Sequence, residues 1–355
     1  MKQPIIEQRH LDLLESLSNA VGVSGNEEEV RKLVLKQVRH KGYQVITDAL
    51  GSVILLPKHR DETKPLVMLD AHMDEVGFML VSDEGDGLYS FELVGGIDPR
   101  SLPGKQVFVG KDHIPGVIGA KPIHLSTSEE RANKLSVESL RIDIGNAKGA
   151  KPAPGDRAVF ATKLSYNNGN IFAKAIDDRI GVAILIQLLE HEFEHIQIAF
   201  SFSVQEEIGL RGAKVAAQRI NPDIAIAIDA TPANDHLAPE GAENTYYNTK
   251  LGHGPAIYTY DGSTLNDPRL VQHLLQTAKA NNIQTQLRQP GGGGTNAGAM
   301  HRANAGVPSI SISVPHRYTH TAISLSRISD WEATVQLLFA ALHTISFETI
   351  KSPRP

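Results

Sequence analysis

The chain has 355 residues, 41% hydrophobic and 21% charged, an ordinary globular composition with length enough for two domains. Its net charge of −5, counting histidine as neutral, argues against a nucleic-acid binder, which would carry a basic patch. Cysteine is absent, so disulfides are impossible and any metal must be held by His, Asp or Glu. The N-terminal stretch "MKQPIIEQRHLDLLESL" contains acids and lacks the apolar segment of a signal peptide. Apolar runs such as "GVAILIQLL" fall far short of a membrane span, so a soluble cytoplasmic protein is the expectation.

In chain order, "HLDLLESLSNAVGVSGNEEEVRKLVLKQV" reads as helix, loop, helix, with Ser24 starting the second helix and Glu27 at capping-box spacing. Two strands follow, "YQVITDA" and "SVILLPK", and then "PLVMLDAHMDEVGFML", a buried strand running into polar residues. From about 77 to 165 the texture changes to short β-like runs such as "LYSFELVGG", "KQVFVG" and "DRAVFAT", with a short helix around "TSEERANKL". Beyond 170, helices ("DRIGVAILIQLLEHEF", "LRGAKVAAQRI", "DPRLVQHLLQTAKANN", "SDWEATVQLLFAALHTI") alternate with strands ("IQIAFSFSVQ", "DIAIAIDA", "IQTQL", "GVPSISISV"). This order predicts an α/β sheet covered on both faces, split by a β-rich insertion.

Ligands in open α/β sheets bind at the carboxyl ends of strands. Those ends deliver His72 and Asp74, Asp177 and Asp178, Glu206 and Glu207, Asp229, and His316 and His320. Each has a plain structural explanation when taken singly. Asp177 or Asp178 can cap a helix, Glu206 and Glu207 can sit at a helix start, and the others can be turn or surface residues. Packing does not explain a set of strand ends that brings only imidazole and carboxylate to one edge. A like-charge cluster without cations raises its own pKa values and costs stability, a cost that divalent metal removes. His, Asp and Glu without Cys suit catalytic zinc, cobalt or manganese. Charge counting favours a pair of ions, since three carboxylates and a hydroxide balance two dications.

The motifs "LDAHMDEVGF", "KAIDDRIG", "SVQEEIGLRGA", "AIAIDAT", "LGHGPAI" and "VPHRYTH" resemble those of the dinuclear metallo-aminopeptidases that include glutamyl aminopeptidases and tetrahedral (TET) aminopeptidases. "GVSGNEEEVR" and "GVIGAKPIHL" are similar as well, and the likeness runs from about residue 10 to 345. The resemblance implies a zinc-peptidase-like mixed sheet flanked by helices. The catalytic domain would occupy 1–76 and 166–355, with a barrel-like dimerisation domain inserted at 77–165. It implies two zinc or cobalt ions, one held by His72 and Glu207 and the other by Asp229 and His320, with Asp177 bridging. Asp74 would orient His72, Glu206 would be the general base, and the Asp177–Asp178 peptide would be cis. The implied reaction is hydrolysis of the N-terminal bond of short peptides by metal-activated water, in dimers that assemble to a dodecamer. Two positions depart from the pattern: Asn296 stands where an acid is usual, and Ile323–Ser324 where a Val-Glu pair is common. Both fall near segments expected to shape the substrate pocket.

Rival readings are weaker. Gly292, Gly294 and Ala297 fit a dinucleotide fingerprint, yet no acid occurs near twenty residues later. No Gly-Lys-Ser/Thr follows the glycines, and no G-x-S-x-G elbow is present. A related metallohydrolase acting on N-acyl substrates, or an inactive assembly scaffold, remain as alternatives.

Overall fold

Apolar residues three and four apart form the first two helices, α1 (Gln8–Asn19) and α2 (Glu28–Val38), which bury Leu14 with Leu17 and Val30 with Val34 and Val38. The computed structural model describes residues 3–39, 41–133, 135–145, 152–236, 244–245, 247–289 and 291–354. The second helix does not begin as its capping-box spacing predicts. Ser24 lies outside it, Glu27 occupies the cap, and the Gly25 N–H donates to Glu27 Oε1 at 2.6 Å. The Ser24 hydroxyl is used elsewhere, at the site.

A hairpin of β1 (Gln44–Thr47) and β2 (Val53–Leu56) leads to β3 (Leu66–His72). The inserted segment forms β4 (Gly77–Gly85), β5 (Leu88–Val94), β6 (Gln106–Val109), β7 (Ile114–Gly119), α3 (Ser128–Ala132), β8 (Arg141–Asp143) and β9 (Arg157–Phe160). Its six strands close into a barrel in the order β4-β5-β8-β7-β6-β9. Inside, Phe78 meets Phe91 and Phe160 edge-on at 5.3 and 5.2 Å.

The chain then returns to the first sheet through β10 (Ser165–Asn167), β11 (Asn170–Ala173), α4 (Ile176–Leu188), β12 (Gln197–Ser203), α5 (Arg211–Ile220) and β13 (Ile224–Pro232). It continues with β14 (Ala256–Ile257), α6 (Pro268–Asn281), β15 (Gln286–Leu287), α7 (Ala297–Met300), β16 (Ser309–Arg317), β17 (Ser324–Arg327), α8 (Ile328–Leu342) and α9 (Phe347–Lys351). The sheet runs β1-β2-β12-β3-β13-β16-β17-β11-β10, with β14 pairing β15 and β16. Its four central strands, β12, β3, β13 and β16, are parallel.

Successive side chains alternate across β3: Val67, Leu69 and Ala71 pack with α1, α2, α4 and α8, while Leu66 and Met68 pack with α5 and α7. Burial on both faces is why this strand reads as one apolar run. The mixed α/β sheet with its inserted barrel is the predicted fold class. Among the described residues, no helix is long and apolar enough to cross a membrane.

Candidate metal centre

Strand register assembles the site. Ser203 on β12 pairs with His72 on β3, and Asp70 pairs with Ala227 on β13, so two residues further on His72 and Asp229 come level. Asp177 and Asp178 arrive from the start of α4, where their peptide bond is cis. Glu206 and Glu207 follow β12 in the turn to α5, and His320 sits in the turn between β16 and β17.

His72 Nε2 lies 3.2 Å from Asp177 Oδ1, 3.8 Å from Asp229 Oδ1 and 4.0 Å from Glu206 Oε2. His320 Nε2 lies 3.1 Å from Glu207 Oε2 and 3.5 Å from Asp177 Oδ2. Asp177 thus turns one oxygen to each imidazole. The other nitrogen of each ring is fixed from behind. His72 Nδ1 faces the Asp74 carbonyl at 3.1 Å, and His320 Nδ1–H donates to the Gly96 carbonyl at 2.9 Å. Gly96 belongs to the loop that leaves β5, so the inserted barrel reaches into the site.

Asp74 is fully buried and accepts from the Glu206 N–H (2.9 Å), the Glu207 N–H (3.2 Å) and the Ser24 hydroxyl (2.6 Å). One carboxylate therefore positions both glutamates while lying 3.5 Å from His72 Nδ1. Asp178 accepts from the His72 and Gly181 N–H groups at 3.2 and 3.0 Å, which occupies it with backbone. His316 is not brought into the cluster. It is enclosed in β16 with neither nitrogen hydrogen-bonded, and burial pushes its pKa down to about 4.

The electrostatics are those of a cation site. Burial, reinforced by the neighbouring acids, pushes Glu206 and Asp229 well above the usual carboxylate range, and burial also raises Glu207. Burial acts on Asp177 in the same sense, but hydrogen bonds from His320 and His72 hold its carboxyl far below that range. Against desolvation, hydrogen bonds to Asp177 and Glu207 push His320 up to about 11. Glu207 Oε1 is buried without a hydrogen-bond partner, as a ligand oxygen would be. Donor atoms of His72, Asp177 and Glu207, and of His72, Asp178 and Asp229, lie within 4.8 Å of one another. The residues fit divalent metal.

Beside the cluster is a cavity of about 130 Å³ lined by Asp177, Glu206, Glu207, Asp229, Tyr258, Arg288, the Gly292–Thr295 loop and His320. A larger groove bordered by Tyr43, Pro57 and Phe193 carries none of these residues. Asn296 follows Thr295 of the cavity wall, so it lies near a cavity-lining segment, and its own side chain is buried. It is 3% exposed, and Nδ2 donates to Asp70 Oδ2 at 2.6 Å and Ser203 Oγ at 3.0 Å. Burial already raises the Asp70 carboxyl to about 6, so an amide there supplies a donor where an acid would add a second carboxyl. Ser324 lines a small cavity behind Asp177, Glu207 and His320, and Ile323 is exposed. Sequence reasoning missed Ser24, Gly96 and Arg288. Only Arg288, a cation beside a glycine-rich loop, carried a readable signal.

Residues 51–337 match the family model described as M42 glutamyl aminopeptidase. The chain is 33% identical over 354 residues to the glutamyl aminopeptidase of Lactococcus lactis subsp. cremoris, covering 96% of this chain and 97% of that one. It is 32% identical to the lysyl aminopeptidase of Pyrococcus furiosus over 94% of this chain and 97% of the other. These two relatives are named for side chains of opposite charge. The TET1 peptidase of Pyrococcus horikoshii, described as assembling into a tetrahedron or a large octahedral shell, superposes with a TM-score of 0.80. It shares 31% identity over 95% of this chain and 100% of its own. By class the protein is a peptide hydrolase of the aminopeptidase kind. It belongs to the M42 glutamyl aminopeptidase family.

Proposed function

We propose that this chain is a dinuclear metallo-aminopeptidase that removes N-terminal residues from short peptides. The observation that carries the reading is Asp177, whose two oxygens face His72 and His320 separately. We assign His72 and Asp229 to one ion, Glu207 and His320 to the other, and Asp177 to both. This replaces the pairing that the resemblance implied. His320 lies against Glu207, and among the described residues no nitrogen of His320 comes within 4.0 Å of an Asp229 oxygen.

Two divalent ions, zinc or cobalt, would lower the pKa of water and polarise a carbonyl there. Glu206 is the proton carrier: its backbone is pinned by Asp74, and its carboxylate approaches His72 without bonding it. It takes the proton of the attacking water and returns it to the leaving amine. Asp74 and the Gly96 carbonyl hold the two rings with Nε2 turned inward. A free α-amine is a donor that divalent metal would take at the cluster, and this would restrict cleavage to the first residue.

We place the inserted unit at 77–165, with the catalytic domain at 1–76 and 166–355. We assign dimer contacts to the insertion, whose Ile123 and Leu125 are 73% and 61% exposed, and a dodecamer as the assembly. A cytoplasmic location goes with this reading. The test is hydrolysis of aminoacyl anilides with the α-amine free or acetylated. The free series should be cleaved far faster, and equal rates would favour an N-acyl amidase.

A further inference from the structure

Four consecutive glycines, Gly291–Gly294, precede Thr295 and Asn296, and Gly292–Thr295 form one wall of the cavity beside the metal centre. Glycine has more backbone freedom than any other residue, so such a wall keeps its place through bonds to its surroundings. We propose that Asp70 is a positioning residue for substrate binding: its buried carboxylate holds Asn296, and through it the glycine-rich wall, against the strands that carry the metal ligands. The inference rests on the aminopeptidase reading above.

Asp70 lies on β3 two residues before His72, so both side chains leave the same face of the sheet, one row apart. On β12 its register partner is Ser201, and Ser203 lies level with His72. Asp70 Oδ2 accepts from Asn296 Nδ2 at 2.6 Å and from Ser203 Oγ at 3.0 Å, and Asn296 Nδ2 also lies 3.0 Å from Ser203 Oγ. All three residues are buried. One amide nitrogen thus joins the end of the loop to the strand that ends in His72 and to the strand that leads to Glu206 and Glu207. Thr295 Oγ1 adds a contact to Ser311 Oγ of β16 at 2.5 Å. The other bonds of the wall come from neighbouring loops, the Gly262 N–H donating to the Gly293 carbonyl at 2.8 Å and Arg288 Nη2–H to the Gly292 carbonyl at 3.0 Å.

Packing alone does not call for a carboxylate here. The bonded partners of Asp70 are neutral, and among the described residues no Lys, Arg or His pairs with it. Burying a carboxylate without a cation is costly, and an apolar pair of similar volume would avoid that cost. What the charge adds is a tether roughly twice as strong as a bond between neutral groups. Asn296 stands where the resemblance leads one to expect an acid, and the acid it meets is Asp70. The two positions act as a pair, with the charged acceptor on the strand and the donor on the loop.

The test follows amide hydrogen exchange, metal content and Michaelis kinetics on a free-amine anilide, using the metal-loaded protein. The variants are Asn296→Ala, Asn296→Asp, and the reversed pair Asp70→Asn with Asn296→Asp. The Gly298 N–H donates to the Thr295 carbonyl and the Ala299 and Met300 N–H groups to that of Asn296, so their exchange reports on the tether. Asn296→Ala removes the donor, and Asn296→Asp sets acceptor against acceptor. In both, these amides should exchange about tenfold faster and KM should rise about tenfold, with kcat changing less and metal content kept. The reversed pair should return both readouts towards the parent values, because a carboxylate again meets an amide N–H. Parent-like exchange and KM in Asn296→Ala overturn the proposal, as does a reversed pair no better than Asn296→Asp. A lower melting temperature with KM and exchange unchanged assigns the pair to packing and overturns it as well. If Asn296→Asp does not fold, Asn296→Ala decides by the same readouts. Failure of the aminopeptidase reading looks different: the parent itself cleaves no free-amine anilide, while hydrogen exchange still tests the tether.

Discussion

Glu206 and Glu207 are consecutive, but their side chains have separate surroundings. Glu207 reaches His320 at 3.1 Å, while Glu206 stops 4.0 Å from His72. Glu207→Gln should weaken metal binding, whereas Glu206→Gln should keep metal and lose about 10²–10⁴-fold in turnover. Metal content and rate measured on both variants separate the roles, and the reverse pattern would exchange them. Asp74 supports both glutamates and His72, so Asp74→Asn, which places an amide against two backbone donors, should cost about 10–100-fold in metal affinity or activity. Glu27 gives a prediction about stability. Burial and then Asp74 raise its pKa from 4.5 to about 7, so the folded chain holds a proton there that the unfolded chain has released. Stability from this group is complete below pH 4.5 and is lost as pH rises through 7. Glu27→Gln should flatten that part of the profile in thermal melts, and an unchanged slope would remove Glu27 as its source.

Elements place these residues, and they also show what could be read in the chain. Buried parallel strands announce themselves as apolar runs, and polar residues where the runs stop were visible at His72, Glu206 and Asp229. Their partners were not. Ser24 meets Asp74 fifty positions away and Gly96 offers only a backbone carbonyl to His320, so neither leaves a local pattern. The capping-box spacing at Ser24 misled because tertiary contact took its hydroxyl. Short strands such as β10, β11 and β17 owe their form to sheet pairing more than to their own sequences. The turn from β12 into α5 carries both glutamates, and it depends on Gly212. A Cβ there would lie 2.4 Å from the Val204 carbonyl oxygen. Gly212→Ala should therefore cost about 1–3 kcal/mol by overpacking and lower metal affinity with it. Denaturant titration checks the first effect, and wild-type stability in the variant would show that the turn yields freely.

At the scale of the whole molecule, the barrel and the sheet meet at the site through Gly96 and His320. If the inserted unit mediates dimers, replacing exposed Ile123 and Leu125 together by lysine should reduce the particle mass seen by light scattering. An unchanged mass would move the contacts elsewhere. The central claim is that Asp177 joins two metal positions, and titration tests it most directly. Chelated protein is given zinc or cobalt while bound metal and hydrolysis of a free-amine anilide are followed together. The account predicts no turnover without metal and full turnover at two ions per chain. Full activity in metal-free protein, or saturation at one ion per chain, would contradict it.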